Sequence, residues 1–399
     1  MDIYPTPAEV LRDAVVDRPV LGFRPHAAHR AAKWFVDHFP GETLYAVKAN
    51  DSQAVLNTLY DAGIRHFDVA SLTELRMMAS FPGAEMHVMH PVKSRRFIAE
   101  AYHDFGVRTF ALDTEDELEK IAEATGNATD LTLMVRVACP STFSEISLEG
   151  KFGAPWSEAP DLIRRARQQS ELLGVSFHVG SQTMCPTGYG QALRNVSQQI
   201  VRAATLVDIV DVGGGFPARY PGMEPPSLDR YIGEISAAFD RMAVGYTCQL
   251  WCEPGRALAA ESESVIVKVD ARKKDTLYIN DGAFGTLYDA AHCKWVFPTR
   301  AFSASGELVM GRTEKMFDFY GPTCDSADYL PGPFRLPERI GEGDYIEVGN
   351  IGAYGRVMAS RFNGYGYYDE VILEDEPMLS MYMEQPEEDE AETVAAVVV

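Results

Sequence analysis

The chain has 399 residues, enough for two or three domains or for one barrel with a companion. Hydrophobic residues make up 46% and charged residues 24%, a globular balance that excludes wholesale disorder, while Gly and Pro follow no fixed period, which excludes a collagen-like chain. The net charge of −22 is repelled by phosphate backbones and anionic lipid, so neither nucleic acid nor a membrane surface is an expected partner.

Eight apolar, β-branched runs follow one another at 43–47, 65–69, 86–90, 108–112, 131–137, 175–179, 208–212 and 248–252. Amphipathic stretches separate them. Ser71 with Glu74, and Thr114 with Glu117, have capping-box spacing, in which the hydroxyl accepts from the backbone N–H three residues on. Leu72, Leu75, Met78 and Ala79 then share one helical face, as do Leu118, Ile121 and Ala122. Helices over 190–206 and 228–241 fill later gaps. Eight βα units in about 230 residues predict a closed parallel (β/α)8 barrel over 24–260. A doubly wound open sheet is the alternative, because periodicity does not show closure.

Beyond residue 260 the pattern changes. SVIVKV, TLYIND, EKMFDFYG, DYIEVGN and YYDEVILED read as strands separated by turns, with no long helix among them. They predict an antiparallel β domain over 261–383, with residues 1–23 packed on it. Residues 384–399, with Glu387, Glu388, Asp389, Glu390 and Glu392, are expected to be disordered. No apolar run approaches the ~20 residues of a membrane span. The opening MDIYPTPAEV lacks the basic and apolar regions of a signal peptide, and six cysteines (139, 185, 248, 252, 293 and 324) are scattered along the chain. A cytoplasmic protein with free thiols is expected.

In a parallel barrel, chemistry gathers at the C-terminal ends of the strands. Lys48, Asp68, His90, Arg136, His178, Gly213, Gly214, Gly215 and Glu253 all fall at or just after predicted strand ends. Lys48 could snorkel to solvent, or its amine could form a Schiff base with a carbonyl. The three glycines could make a tight turn, or bring bare N–H groups close to a phosphate. They do not form the G-x-G-x-x-G dinucleotide pattern. Arg256 adds a fixed cation at the same end. Glu253 could be a solvated carboxylate and His178 a buried structural histidine. Taken together, an amine, a phosphate cradle, a cation and a carboxylate match the needs of pyridoxal phosphate: a lysine for the aldehyde, an anion site, and an acid that keeps the pyridine nitrogen protonated.

The sequence resembles the fold-type III pyridoxal-phosphate decarboxylases, and most closely the ornithine decarboxylase group. The matching stretches are YAVKAND (45–51), FDVAS (67–71), KFGA (151–154), SFHVGS (176–181), DVGGGFP (211–217) and CEPGRAL (252–258). They continue as YDAAH (288–292), GPTCDSAD (321–328) and GAYGRVMASRFNGYG (352–366). The resemblance implies an alanine-racemase-like barrel with a β domain. It implies Lys48 as the Schiff-base lysine beside Asp68, His178 as the ring-stacking histidine, and Glu253 as the pyridinium partner. Arg136 falls among the cofactor contacts, and Ser181, the glycine run, Gly255, Arg256 and Tyr354 around the phosphate. It implies Cys324 as the acid that protonates the product carbon. Tyr288, Asp289 and Asp325 fall to the substrate, with the two aspartates gripping its distal amine. A homodimer is implied, Cys324 and Asp325 reaching into the partner's barrel. The expected reaction converts ornithine to putrescine, in polyamine synthesis.

Phe284 stands where eukaryotic ornithine decarboxylases tend to have tyrosine, and the stretch from Gly285 to Asp289 looks shorter than theirs. Both lie by the expected distal-amine pocket. Lysine is one methylene longer than ornithine, a difference worth only ~1–3 kcal/mol, so cadaverine formation from lysine is credible too. An arginine or other decarboxylase, a racemase, or a non-catalytic regulatory homologue are the rival readings. No metal site is expected: His87 and His90, three apart on one strand, face opposite sides. Cys248 and Cys252 have no ligand partners nearby in sequence. Asn127 and Asn195 match glycosylation sequons, but no signal peptide is expected to deliver them to that machinery.

Overall fold

A computed structural model describes residues 1–13, 16–311 and 313–383; the acidic 384–399 segment lies outside the described residues. Eight strands form the barrel: Glu42–Ala46, His66–Asp68, Glu85–Val88, Thr109–Leu112, Thr132–Arg136, Leu172–Ser176, Ile209–Asp211 and Gln249–Cys252. All neighbours are parallel. The eighth strand pairs with the first (Trp251 with Glu42, Cys252 with Thr43), so the sheet closes and the open-sheet alternative falls.

Inward residues of five strands (Leu44, Ala111, Met134, Ile209 and Trp251) pack as one cluster inside the barrel. Outward residues such as Tyr45, Phe67 and Val175 meet the surrounding helices. The capping pattern is observed in place. Ser71 Oγ accepts the Glu74 N–H at 3.2 Å and Thr114 Oγ1 the Glu117 N–H at 3.2 Å, starting helices Leu72–Met78 and Glu115–Ala124. The helices expected at 190–206 and 228–241 run over Thr187–Ala203 and Leu228–Phe239.

The sixth strand departs from expectation. It begins at Leu172 and ends at Ser176, about one turn of pattern earlier than the 175–179 run. Gly174 obscured it. A Cβ there would lie 2.1 Å from Met134 Sδ, so this position must be bare inside the barrel, and the apolar pattern is interrupted. His178 consequently sits past the strand in the mouth loop, not on the strand.

The second sheet has nine strands. Its long strand Glu263–Lys273 pairs antiparallel with Val20–Phe23, Thr276–Ile279 and Tyr345–Val348. The sheet is mixed rather than antiparallel throughout. Asp369–Leu373 is parallel to both Asp2–Tyr4 and Val20–Phe23, and Thr276–Ile279 is parallel to Glu314–Tyr320. Hairpins force antiparallel pairing, but these strands are joined by long connections or come from opposite ends of the chain. The helix Pro7–Asp13 covers this sheet, with Val10 and Leu11 against Ile266, Phe302 and Leu373. Buried Arg24 binds Glu347 at 2.7 Å and Asp375 at 2.8 Å across the strands.

The sheet also reaches the barrel mouth. Asn50 donates to Glu263 Oε2 at 2.9 Å and to the Gly352 carbonyl at 2.8 Å, and the Tyr354 N–H donates to the Ala49 carbonyl at 2.8 Å. The turn carrying Lys48 is thereby clamped from behind. No described helix is long and apolar enough to cross a membrane.

Candidate active site

The first barrel strand runs into a tight turn, Val47–Ala49, that stands Lys48 in the mouth. Its Nζ lies 3.0 Å from Asp68 Oδ2, at the buried end of the second strand. Asp68 Oδ1 also accepts the Met89 N–H at 3.3 Å, which fixes the carboxylate. The Asp68 charge outweighs burial and holds the ammonium above the usual lysine range. Lys48 is thus anchored on a buried carboxylate while about half of its side chain stays exposed at the mouth.

Lys48 opens onto a cavity of about 620 Å³. Arg136 enters from the end of the fifth strand, its guanidinium 5.4 Å from the Phe152 ring. Ser181 enters from a short strand, Ser181–Thr183, that pairs with Ser144–Ile146. Gly255, Tyr288 and Tyr354 also line the cavity. His178 Nδ1 accepts the Gly180 N–H at 3.1 Å, which orients the ring. Burial, with the Arg136 and Lys48 charges, holds this imidazole well below its usual range, so it is neutral.

The seventh strand ends at Asp211, and the glycine loop follows. The Gly213 N–H is taken by Asp211 Oδ1 at 2.8 Å, and Gly213 does not line the cavity. The three-glycine cradle read from sequence therefore reduces to Gly214 and Gly215, with Gly213 serving the turn. A Cβ on Gly215 (φ +102°) would lie 2.5 Å from the Gly180 carbonyl oxygen, and one on Gly214 3.0 Å from His178 Nε2. Only bare backbone leaves this wall open.

Glu253 follows the eighth strand, and its N–H donates to the Gly213 carbonyl at 2.9 Å. Burial and the neighbouring Asp211 and Asp68 carboxyls push it well above the usual range, and burial pushes Asp211 up to about 6. A buried acid that retains a proton beside a second carboxyl is suited to hold a hydrogen on a ring nitrogen. The solvated-carboxylate reading of Glu253 is thus excluded. Sequence reasoning quoted Asp211 within a motif but gave it no role; the signal was an acid at a strand end, directly before the glycine run.

Arg256 is buried. It donates to Tyr220 Oη at 3.1 Å and to Asp289 Oδ2 at 3.0 Å, while its Nε has no partner among the described residues. An orphaned guanidinium N–H in a cavity wall has capacity for an incoming anion. Asp289, expected to face a substrate amine, lines the cavity but is ion-paired with Arg256. Cys324 and Asp325 are not brought into this cavity. Both are exposed, with Cys324 Sγ 3.2 Å from Asn363 Oδ1 and Asp325 Oδ1 accepting the Ala327 N–H at 2.9 Å.

Ile146 and the loop residues Ser147, Leu148 and Glu149 that follow it, and also Phe216 and Met358, line the cavity without having been singled out from sequence. They carry neither strand periodicity nor a local chemical pattern. His90 lines it too, held down to about 4 by burial and by Lys93. The set fits pyridoxal phosphate on its own terms. An amine, an orphaned guanidinium beside open backbone, a neutral imidazole and a proton-retaining acid share one cavity.

Known proteins agree. Residues 26–260 match the family model described as pyridoxal-dependent decarboxylase, pyridoxal binding domain. The chain is 31% identical over 371 residues to the lysine/ornithine decarboxylase of Selenomonas ruminantium, covering 90% of each. It superimposes on the lysine/ornithine decarboxylase of Vibrio vulnificus complexed with cadaverine with a TM-score of 0.76 at 26% identity, over 90% of this chain and 96% of that one. The arginine decarboxylase of Paramecium bursaria Chlorella virus gives a TM-score of 0.81 at 25% identity, over 92% and 98%. The cofactor is pyridoxal phosphate, and the chain belongs to the pyridoxal-dependent decarboxylases.

Proposed function

We propose that this carbon–carbon lyase acts in the cytoplasm on L-ornithine, giving putrescine and CO2 for polyamine synthesis, with L-lysine as a second substrate giving cadaverine. The observation that carries the reading is a single cavity joining Lys48, the Gly214–Gly215 backbone and Glu253 to Asp289. Bound pyridoxal phosphate supplies an electron sink for the pair left behind by CO2. The chain supplies the rest. Lys48, aimed by Asp68, holds the aldehyde carbon. Gly214, Gly215, Ser181, Gly255, Arg256 and Tyr354 would hold the phosphate, and Arg136 would be available to the cofactor from the same cavity wall. Glu253, with Asp211 behind it, keeps a proton at the ring nitrogen. Neutral His178 would face the ring without adding a charge that opposes protonation there. Tyr288 and Asp289 close the end where a substrate's distal amine would be bound through a charge-assisted hydrogen bond.

A homodimer belongs to the same reading. The loop of Cys324 and Asp325 is hydrogen-bonded to Asn363, whose neighbours Phe362, Tyr365 and Tyr367 are exposed aromatics. Aromatic side chains concentrated on one exposed segment have the composition of an interface. From there Cys324 would deliver a proton to the substrate carbon in a second copy's cavity, and Asp325 would add a carboxylate for the distal amine.

The test is CO2 release with pyridoxal phosphate present, offering ornithine, lysine, arginine and diaminopimelate separately and identifying the amine by mass spectrometry. Putrescine, with less cadaverine, is expected. Agmatine alone would move the chain to the arginine reading, which the likeness to the viral enzyme favours. Cofactor binding without CO2 release from any of the four would overturn the proposal.

A further inference from the structure

The opposite end of the barrel carries a second cluster of chemically competent side chains, unrelated to the mouth. His66 and Glu85 open the second and third strands, and parallel register pairs them directly. His87, two residues after Glu85, returns to the same face of its strand. Three side chains therefore converge at the N-terminal base, and their ligand atoms all lie within 4.8 Å of one another. Sequence spacing tested His87 only against His90, on its own stretch of chain. The partner comes from the neighbouring strand, which spacing along one strand cannot reveal.

We propose that this base is a binding site for a divalent transition-metal ion of the zinc type, held by His66 Nδ1, His87 Nε2 and a Glu85 carboxylate oxygen, with solvent in the fourth position. The two nitrogens are 3.0 Å apart, and Glu85 Oε2 is 3.7 Å from His66 Nδ1. Ligands on a tetrahedral ion at zinc–nitrogen distances are separated by about 3.3 Å. The two edges at His66 bracket that figure, and the third, from His87 to the exposed Glu85 side chain, lies within 4.8 Å, so a rotation of the Glu85 carboxylate completes the site. Two imidazoles with one carboxylate select zinc and its transition-metal neighbours over magnesium or calcium.

The surroundings are those of a supported site. His66 Nε2 lies 3.0 Å from Glu42 Oε2, which ties up that nitrogen and leaves Nδ1 as the free lone pair. His87 Nδ1 lies 3.0 Å from Thr109 Oγ1, on the fourth strand. Without metal, a hydrogen on His87 Nε2 bridges to His66 Nδ1, and the Thr109 hydroxyl donates to His87 Nδ1. With metal, that hydrogen moves to His87 Nδ1 and the hydroxyl turns to accept it, so no net proton is lost. Trp251 closes the apolar side, its ring edge-on to His87 at 5.0 Å between centroids. Glu85 is two-thirds exposed, which leaves an entry path for the ion from solvent. Bound metal would fasten the first four strands together, through Glu42, His66, Glu85, His87 and Thr109.

The test uses the holoenzyme after treatment with a chelator. Zinc uptake is measured by competition with a chromophoric zinc indicator, and thermal unfolding is followed with and without zinc. One zinc per chain and a raised Tm are expected. His66→Gln should abolish uptake of that equivalent. Glu85→Gln, at a surface position that does not endanger folding, should weaken it. Glu42→Gln, which touches no metal and only positions His66, should weaken it by about 10- to 100-fold. Copper(II), as a second probe, should quench Trp251 emission in the parent chain and not in His66→Gln. Uptake of the same stoichiometry and affinity in all three variants would place the metal elsewhere, on the free thiols, and overturn the proposal. Absence of saturable uptake by the parent chain up to about 0.1 mM zinc would overturn it equally.

Discussion

The ion pair between Arg256 and Asp289 offers a discriminating test of the phosphate site. Their side chains are 3% and 9% exposed and meet at 3.0 Å, so the pair is buried. Asp289→Asn keeps the volume and removes the charge. In the cofactor-free chain Arg256 would then be a buried cation with neutral hydrogen-bond partners and no countercharge, a change that costs about 3–5 kcal/mol. If the cofactor's phosphate lies against Arg256, it replaces the lost charge, and the cost in the loaded chain falls to about 1 kcal/mol, that of one ordinary hydrogen bond. The difference, at least about 2 kcal/mol, must appear in cofactor binding, because the two equilibria are linked. Asp289→Asn should therefore bind pyridoxal phosphate about 30-fold more tightly or better, while turning over ornithine less well. Urea unfolding with and without cofactor, and a cofactor titration, measure both arms. Equal destabilisation of the free and loaded chains, with unchanged cofactor affinity, would refute the placement of Arg256 at the phosphate.

Lys48→Ala should remove the visible absorption band of the loaded enzyme and reduce CO2 release to background; a borohydride-reducible adduct at another lysine would contradict this. Gly215→Ala forces a side chain into a positive-φ position against the Gly180 carbonyl, which costs about 1–3 kcal/mol in strain, and should weaken cofactor binding at least tenfold by pushing the loop into the cavity. Mixing inactive Lys48→Ala with inactive Cys324→Ala should restore roughly a quarter of the parental activity, since half the randomly mixed dimers are hybrids and each hybrid has one intact site; no recovery after verified subunit exchange would mean that the sites are not shared. Glu261 is buried, and its carboxyl is pushed up to about 7 by burial against the hydrogen bonds from Ser380 and Met381. A raised folded pKa means that its contribution is complete below about pH 4.5 and is lost as pH rises through 7, by about 3 kcal/mol in all. Glu261→Gln should flatten the stability-against-pH curve across that window, and parallel curves would dispose of the assignment.

The eight-strand alternation, the Ser71 and Thr114 helix caps and the mouth positions of Lys48, Asp68, Arg136 and Glu253 were all legible in the sequence, because each is a local pattern: a period, a spacing, or a residue type at the end of a run. The sixth strand was displaced in that reading because Gly174, bare to make room for Met134, breaks the very periodicity used to find it. The β domain was legible but its parallel pairs were not, because strand direction depends on which distant segments meet, and nothing local in Asp2–Tyr4 or Asp369–Leu373 records that they run side by side.

Amino-acid identity by itself thus determined the βα architecture and supplied the amine, the bare backbone, the cation and the acids that pyridoxal phosphate needs. Tertiary structure alone decided how those groups are shared out. It gave the Gly213 N–H to Asp211 and left Gly214 and Gly215 to the cavity. It set Asp289 on Arg256, left Cys324 and Asp325 outside their own chain's cavity, and joined His66 to His87 across two strands at the barrel base. The physical reason is common to all of these. Hydrogen bonds, ion pairs and metal geometries act over about 3 Å in space, and which groups come within that distance is set by how loops, helices and neighbouring strands meet, not by spacing along the chain.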